Sequence, residues 1–244
     1  VIEAHWNPFA NAMIGFAIRR ALRRNFRAVL VAGEENLRDV DAARSIVVCA
    51  NHTNWWDGFL AQYLTEKLLP GRRSHLAQSN DQLQKYSYFR WAGAFGVDAE
   101  ARKIGGLRHA LHLLKDHRVA VWMFPQGRIH HPNTGLLARD GAAFLARKSG
   151  AQIVPICFRY EWLVESRPSI LVRIGGSLAS GARTDELTTV MQTLHAQTED
   201  RLDPLDLGEF RPIMKPRMSL NKRVEWVCAA LRGNLREFER ENNQ

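Results

Sequence analysis

Short runs rich in Val and Ile alternate with helix-forming stretches along most of this chain. That alternation limits its fold more than any other feature. Candidate strands are 28–32, 46–50, 75–78, 119–124, 153–158 and 170–174, short and apolar as buried strands tend to be. Candidate helices are 57–69, 81–89, 107–117, 141–149, 185–198 and 219–239. The last has the clearest period, through Leu220, Val224, Val227, Leu231, Leu235 and Phe238. The pattern predicts an α/β fold, a central mixed sheet flanked by helices, with an N-terminal amphipathic helix and a C-terminal helix. At 244 residues, 45% hydrophobic and 24% charged, the chain carries enough apolar side chain for a buried core. The stretch 204–216 holds three prolines and no period, and reads as a connector to the last helix. Cys49, Cys157 and Cys228 are odd in number and far apart, which suggests reduced packing residues in a cytosolic setting.

Charge narrows the partners. There are 34 Lys+Arg against 25 Asp+Glu, a net +9, so an anionic partner is expected: nucleic acid, an acidic membrane face or a phosphorylated substrate. In 8–27, Phe9, Met13, Ile14, Phe16, Ile18 and Leu22 recur at helical spacing, and Arg19, Arg20, Arg23, Arg24 and Arg27 crowd the second half. This reads either as a helix lying on an anionic membrane or as a core-packed helix with a solvated basic end. Elsewhere the arginines are dispersed and no nucleic-acid motif accompanies them, so no nucleic-acid partner is expected. No apolar run approaches the length of a transmembrane helix.

The general phosphate-loop, dinucleotide and nucleophile-elbow motifs are missing, and there is no C-x-x-C pair. Gly105-Gly106 before a helix either leaves amides for an anion or simply permits a turn. The informative stretch is Asn51-His52-Thr53-Asn54-Trp55-Trp56-Asp57-Gly58, between a β-run and a helix. A loop of that length can fold back to bring the Asp57 carboxylate to the His52 imidazole. The carboxylate then fixes one tautomer and stabilises the imidazolium, and the free nitrogen takes a proton from a substrate hydroxyl. By itself the spacing says little: nine histidines yield roughly 0.4 chance matches. A second match, His195 to Asp200, lies in a predicted helix where residues five apart diverge by roughly 140°. Adjacent His130 and His131 cannot easily face one ion, and no metal site is expected. Of Trp55 and Trp56, at least one is expected in the core. Tyr86, Tyr88, Phe89 and Trp91 form an aromatic cluster whose default is core packing, with a lipid-facing lip as the alternative.

Three later blocks, met in order along the chain, support the pair. Phe124-Pro125-Gln126-Gly127-Arg128 succeeds an apolar run, Gly141-Ala142-Ala143-Phe144 opens a helix, and Ile153-Val154-Pro155-Ile156 lies in the next apolar run. Together with Asn-His-x4-Asp, these blocks resemble the glycerolipid acyltransferase superfamily, which includes the bacterial lysophosphatidate acyltransferases. The resemblance runs over about 46–158. It implies that His52 is the general base and Asp57 its orienting partner. It also implies an acceptor hydroxyl that attacks an acyl thioester directly, and an acceptor site drawn from Asn51, Gly96, Arg102, Phe124, Pro125, Gln126, Gly127 and Arg128. The block Gly93 to Asp98 looks like the family's second motif. There the usual arginine after the aspartate is replaced by Ala99, the nearest arginine being Arg102, and the usual glutamate of the third motif is Gln126. Both departures touch acceptor recognition and leave the His/Asp pair intact.

The expectation is therefore an O-acyltransferase. It would move a fatty acyl group from acyl-CoA or an acyl carrier protein to a lipid hydroxyl, lysophosphatidate-like in the first instance. A non-phosphate lipid such as a glycosylated isoprenoid or an amino-acid lipid is the first alternative. A hydrolase using His52, Asp57 and His130, metal-assisted or not, is the second. No cofactor beyond the donor is implied. Arg128, or amides at the start of the helix after Trp56, would face the developing oxyanion. The implied organisation is a membrane-associating helix over 1–27, an acyltransferase domain over 28–203, and a connector with its helix over 204–244. The enzyme is expected on the cytoplasmic face of the membrane as a peripheral protein, with its oligomeric state open.

Overall fold

A computed structural model describes residues 2–98, 104–163, 166–202 and 206–214, together with 224, 226, 228–230 and 232. Among these, eight strands form one mixed sheet in the order β4-β3-β5-β2-β6-β7-β1-β8. They are β1 (Val29–Ala32), β2 (Ile46–Ala50), β3 (Arg73–Ser79), β4 (Ala94–Val97), β5 (Val119–Met123), β6 (Gln152–Glu161), β7 (Ser169–Ile174) and β8 (Arg211–Met214). The helices are α1 (Pro8–Asn25), α2 (Asp57–Leu68), α3 (Asn80–Lys85), α4 (Gly105–Leu113), α5 (Gly141–Ser149) and α6 (Thr184–Leu202). The α/β architecture expected from the alternation is the one found.

The first five strands of the sheet order run parallel to one another. The helices then follow from handedness. A right-handed crossover from β2 to β3 must place α2 on one face, and the crossover from β5 to β6, running the other way along the sheet, must place α5 on the opposite face. The cores confirm it. Leu22, Leu60, Leu64, Trp122 and Phe158 meet on one side under α1 and α2. Cys49, Val121, Ala110, Leu145 and Met191 meet on the other under α4, α5 and α6. So β2 and β5 are neighbours whose chains depart to opposite faces. In open α/β sheets the crevice at the carboxyl ends of such a pair is where ligands bind.

α1 starts where the sequence dictates. Asn7 caps it by accepting from Ala10 N at 3.0 Å, Pro8 occupies the first turn, and Arg23 and Arg24 sit in the last turn, where the helix dipole favours cations. Its apolar residues divide into two stripes. Ile18 and Leu22 are buried on the first core with Ile14 beside them, whereas Phe9, Met13 and Phe16 are exposed. The core-packed reading thus describes one face of this helix, and the other face is exposed.

Several expectations need correction. The helix expected over 81–89 ends at Lys85 and gives way to a 3₁₀ turn, Ser87–Ala92. β4 is an addition to the expected strands, because Ala-Phe-Gly-Val has no strong alternation. It exists because β3 pairs with it and because residues 2–7 run along that margin: Gly96 N donates to Ile2 O at 2.7 Å, His5 N to Arg90 O and Asn7 N to Trp91 O. β8 lies within the stretch read as a connector and pairs antiparallel with β1. Its Pro212 is tolerated because the strand is at the edge of the sheet. Burial pushes the Cys157 thiol up to about 12 and raises that of Cys49 as well, which makes both inert packing residues. Cys228 is exposed, so the packing reading fails there. Most of the C-terminal helix expected over 219–239 lies outside the described residues, as do Ala99 and Arg102.

Candidate active site

β2 ends at Ala50, and the next two residues take up distinct tasks. Asn51 is buried and bridges to β6: its Nδ2 donates to Phe158 O at 2.9 Å, and its Oδ1 accepts from Phe158 N at 2.6 Å. The side chain thereby replaces the ladder that the strand has just left. Both ends of its amide are engaged with backbone, which makes it a strap rather than a substrate contact. His52 stands at the carboxyl edge with about a fifth of its side chain exposed, and its Nδ1 lies 2.8 Å from Asp57 Oδ2.

Asp57 is fully buried at the start of α2, where a carboxylate is tolerated only if its lone pairs are satisfied. They are. Thr53 N and Asn54 N donate to Oδ2 at 2.8 and 2.9 Å, beside the His52 ring nitrogen. Tyr160 on β6 donates its hydroxyl to Oδ1 at 2.6 Å. Burial and the facing carboxylate hold the Tyr160 phenol well above its ordinary value, so it stays a neutral donor.

The backbone of His52 is held from the other side of the crevice. Gln126 Oε1 accepts from His52 N at 2.6 Å, His130 N donates to His52 O at 2.8 Å, and Phe124 stacks on the imidazole with ring centres 4.4 Å apart. The loops after β2 and β5 therefore meet at the imidazole, leaving Nε2 as the ring nitrogen for a substrate. That arrangement can take a proton from a hydroxyl and return it to a leaving group.

The Acyltransferase family model matches residues 28–159, more than half of the chain, and contains both loops. This chain belongs to the acyltransferase family. The acyltransferase also shares its fold with the 1-acyl-sn-glycerophosphate (LPA) acyltransferase PlsC from Thermotoga maritima. The two superpose with a TM-score of 0.55 over 79% of each chain, at 20% identity.

The remaining candidates in the acyltransferase fall into two groups. Phe124, Gln126 and His130 are gathered at the histidine. Pro125 is buried, and its carbonyl accepts from Arg139 N at 2.9 Å. Gly127 closes the turn back to Phe124 O with φ of 77°, a conformation that favours glycine. Arg128 is exposed beside the crevice, with Nε donating to His130 Nε2 at 3.3 Å. Gly96 lies apart on β4, three strand spacings or about 14 Å from β2. Its missing side chain makes room for Asn80, whose Oδ1 would be 1.9 Å from a Cβ there. Gly106 is a point of close approach too, since a Cβ on it would lie 2.3 Å from Gly96 O, so this glycine serves helix–strand packing.

Near the start of α2, Trp56 N donates to Asn54 Oδ1 and Asp57 N to Asn54 O, so these two amides are engaged within the loop. His195 turns its Nε2 to Pro132 O at 2.9 Å, which accords with reading its match to Asp200 as chance. Trp56 packs on the core while Trp55 is 63% exposed. Tyr88 and Trp91 are exposed as well, so the aromatic cluster is a surface lip continuous through Phe89 and Phe59 with Trp55. Sequence reasoning missed Tyr160. The available signal was its place two residues after Phe158, on the same face of a strand that the Val-Pro-Ile block had already located.

Proposed function

We propose that this acyltransferase transfers a fatty acyl group from an acyl thioester, acyl-CoA or an acyl carrier protein, to the hydroxyl of a lipid, with His52 as general base. The single observation that carries this reading is the buried Asp57 carboxylate on Nδ1 of a partly exposed His52, just past the carboxyl end of β2. The acceptor O–H gives its proton to Nε2 as its oxygen attacks the thioester carbonyl. The C–O bond forms, the oxyanion develops beside the Arg128 guanidinium, the C–S bond breaks, and the imidazolium returns the proton to the departing thiolate. No acyl-enzyme is needed, because the substrate supplies the nucleophile.

A glycerophosphate lipid bearing a free hydroxyl is the first acceptor to test, in line with what the Thermotoga maritima PlsC is named for. A non-phosphate hydroxyl lipid is the second, favoured by Gln126: its carboxamide is neutral and already turned onto the His52 amide. Two surface hollows of about 470 and 500 Å³ lie among Glu34, Arg38, Leu68 and Arg211 and among His112, Lys115 and Arg118, all at the opposite edge of the sheet. The exposed Phe9, Met13 and Phe16 stripe beside the α1 arginines supports peripheral docking on an anionic membrane. A thioester donor drawn from the cytosol favours the cytoplasmic face of that membrane. No helix among the described residues is long and apolar enough to cross a membrane.

The test is an acceptor panel in vesicles with labelled acyl-CoA, read by mass spectrometry of the lipid products. The wild-type chain should acylate at least one hydroxyl lipid, and folded His52→Ala should give none. Transfer by His52→Ala at the wild-type rate refutes the mechanism.

A further inference from the structure

We infer that Tyr160 is a positioning residue for the His52–Asp57 pair, locking the carboxylate from a second strand so that the imidazole keeps its orientation. The inference rests on His52 acting as the base.

The geometry makes the case. All the loop donors to Asp57, namely Thr53 N, Asn54 N and His52 Nδ1, converge on one oxygen, Oδ2. A carboxylate held at one oxygen only can still turn about its Cβ–Cγ bond and trade that oxygen for the other. Tyr160 prevents this by holding Oδ1, and its 2.6 Å separation is that of a charge-assisted O–H···O⁻ bond. The donor comes from β6, an element independent of the loop, so turning the carboxylate must break one set of bonds or the other.

The placement of Tyr160 is itself built. Asn51 clamps both backbone groups of Phe158, and side chains two apart on a strand share a face. The residue directly before the histidine thus sets the register that brings Tyr160 to Asp57. Phe26, at the end of α1, completes the arrangement: its ring lies 5.7 Å from that of Tyr160 and 5.2 Å from that of Trp56, the residue before Asp57.

Loss of the hydroxyl has a signed consequence. With one donor fewer, the carboxylate charge is less neutralised and holds the imidazolium more tightly. The other ionisable groups near the pair, His130 and Arg128 on the loop after β5, are unchanged in a Tyr160→Phe variant. In that variant the His52 titration, followed by NMR of ¹⁵N-imidazole-labelled protein and assigned with His52→Ala, should move up by about half a pH unit or more. The acid limb of kcat/KM should follow it. At the same time kcat should fall about tenfold, with KM near wild type because Tyr160 does not reach the substrate. Global 3-fluorotyrosine substitution, compared with unlabelled wild type, strengthens the donor and should move the titration down.

A Tyr160→Phe enzyme with unmoved titration and kcat, beside an inactive His52→Ala, overturns the inference and leaves the general-base reading standing. An active His52→Ala overturns both. If Tyr160→Phe does not fold, the fluorotyrosine protein decides: a downward shift supports the inference and no shift defeats it.

Discussion

Two histidines show how the same residue type is put to opposite uses. His52 is partly exposed and its Nδ1 is bound to a carboxylate. His75, on β3, is buried, and its Nδ1 lies 3.2 Å from Gly93 O. Burial is the main cause that pulls its value down to about 4 from the ordinary 6.5. Between those two values the unfolded chain takes up a proton that the folded chain refuses. The contribution is therefore complete above pH 6.5 and is lost as pH falls toward 4, about 3 kcal/mol in all. Urea unfolding across that range should show the loss, and His75→Phe should flatten it. A wild-type stability that is level from pH 6.5 to 4 contradicts this account. At this scale the His52–Asp57 pair was legible, because the two residues share one loop. Tyr160 was not, because more than 100 residues separate it from Asp57 and only the packing of β6 against β2 brings them together.

Among the elements, α1 is the most instructive. Its apolar residues were all visible in the sequence, but spacing alone cannot assign two stripes of one helix to different surroundings. Contact with α2 and the sheet does so, burying Ile18 and Leu22 and leaving Phe9, Met13 and Phe16 outside. The two faces should separate by mutation. Leu22→Ala should cost about 2–5 kcal/mol in chemical unfolding. The triple change Phe9→Ser, Met13→Ser and Phe16→Ser should leave stability within about 0.5 kcal/mol, as surface changes do. A large stability loss in the triple variant would show that this stripe is covered within the protein. β4 and β8 teach the complementary lesson. Each is short and weakly patterned, and each exists because a neighbouring strand supplies its hydrogen bonds.

For the whole molecule, the net +9 and the arrangement of α1 lead to a membrane prediction. Arg19 is already paired with Glu66 on α2, so the exposed Arg20 and Arg24 are the residues to neutralise. Arg20→Gln with Arg24→Gln should weaken sedimentation with anionic vesicles, most at low salt and least at high salt, where the charges are screened. Equal binding at every salt concentration would remove the electrostatic part of the docking. The sequence by itself determined the α/β class, six of the eight described strands, and the His52–Asp57 pairing, because these depend on periodicity and on residues close along the chain. Only the tertiary structure decided which strands are neighbours. It thereby brought the β2 and β5 loops to one crevice, put Tyr160 on the Asp57 carboxylate, and set the exposed stripe of α1 on the outside. Those outcomes depend on contacts between segments far apart in the chain, and local pattern carries no record of which distant partner a side chain will meet.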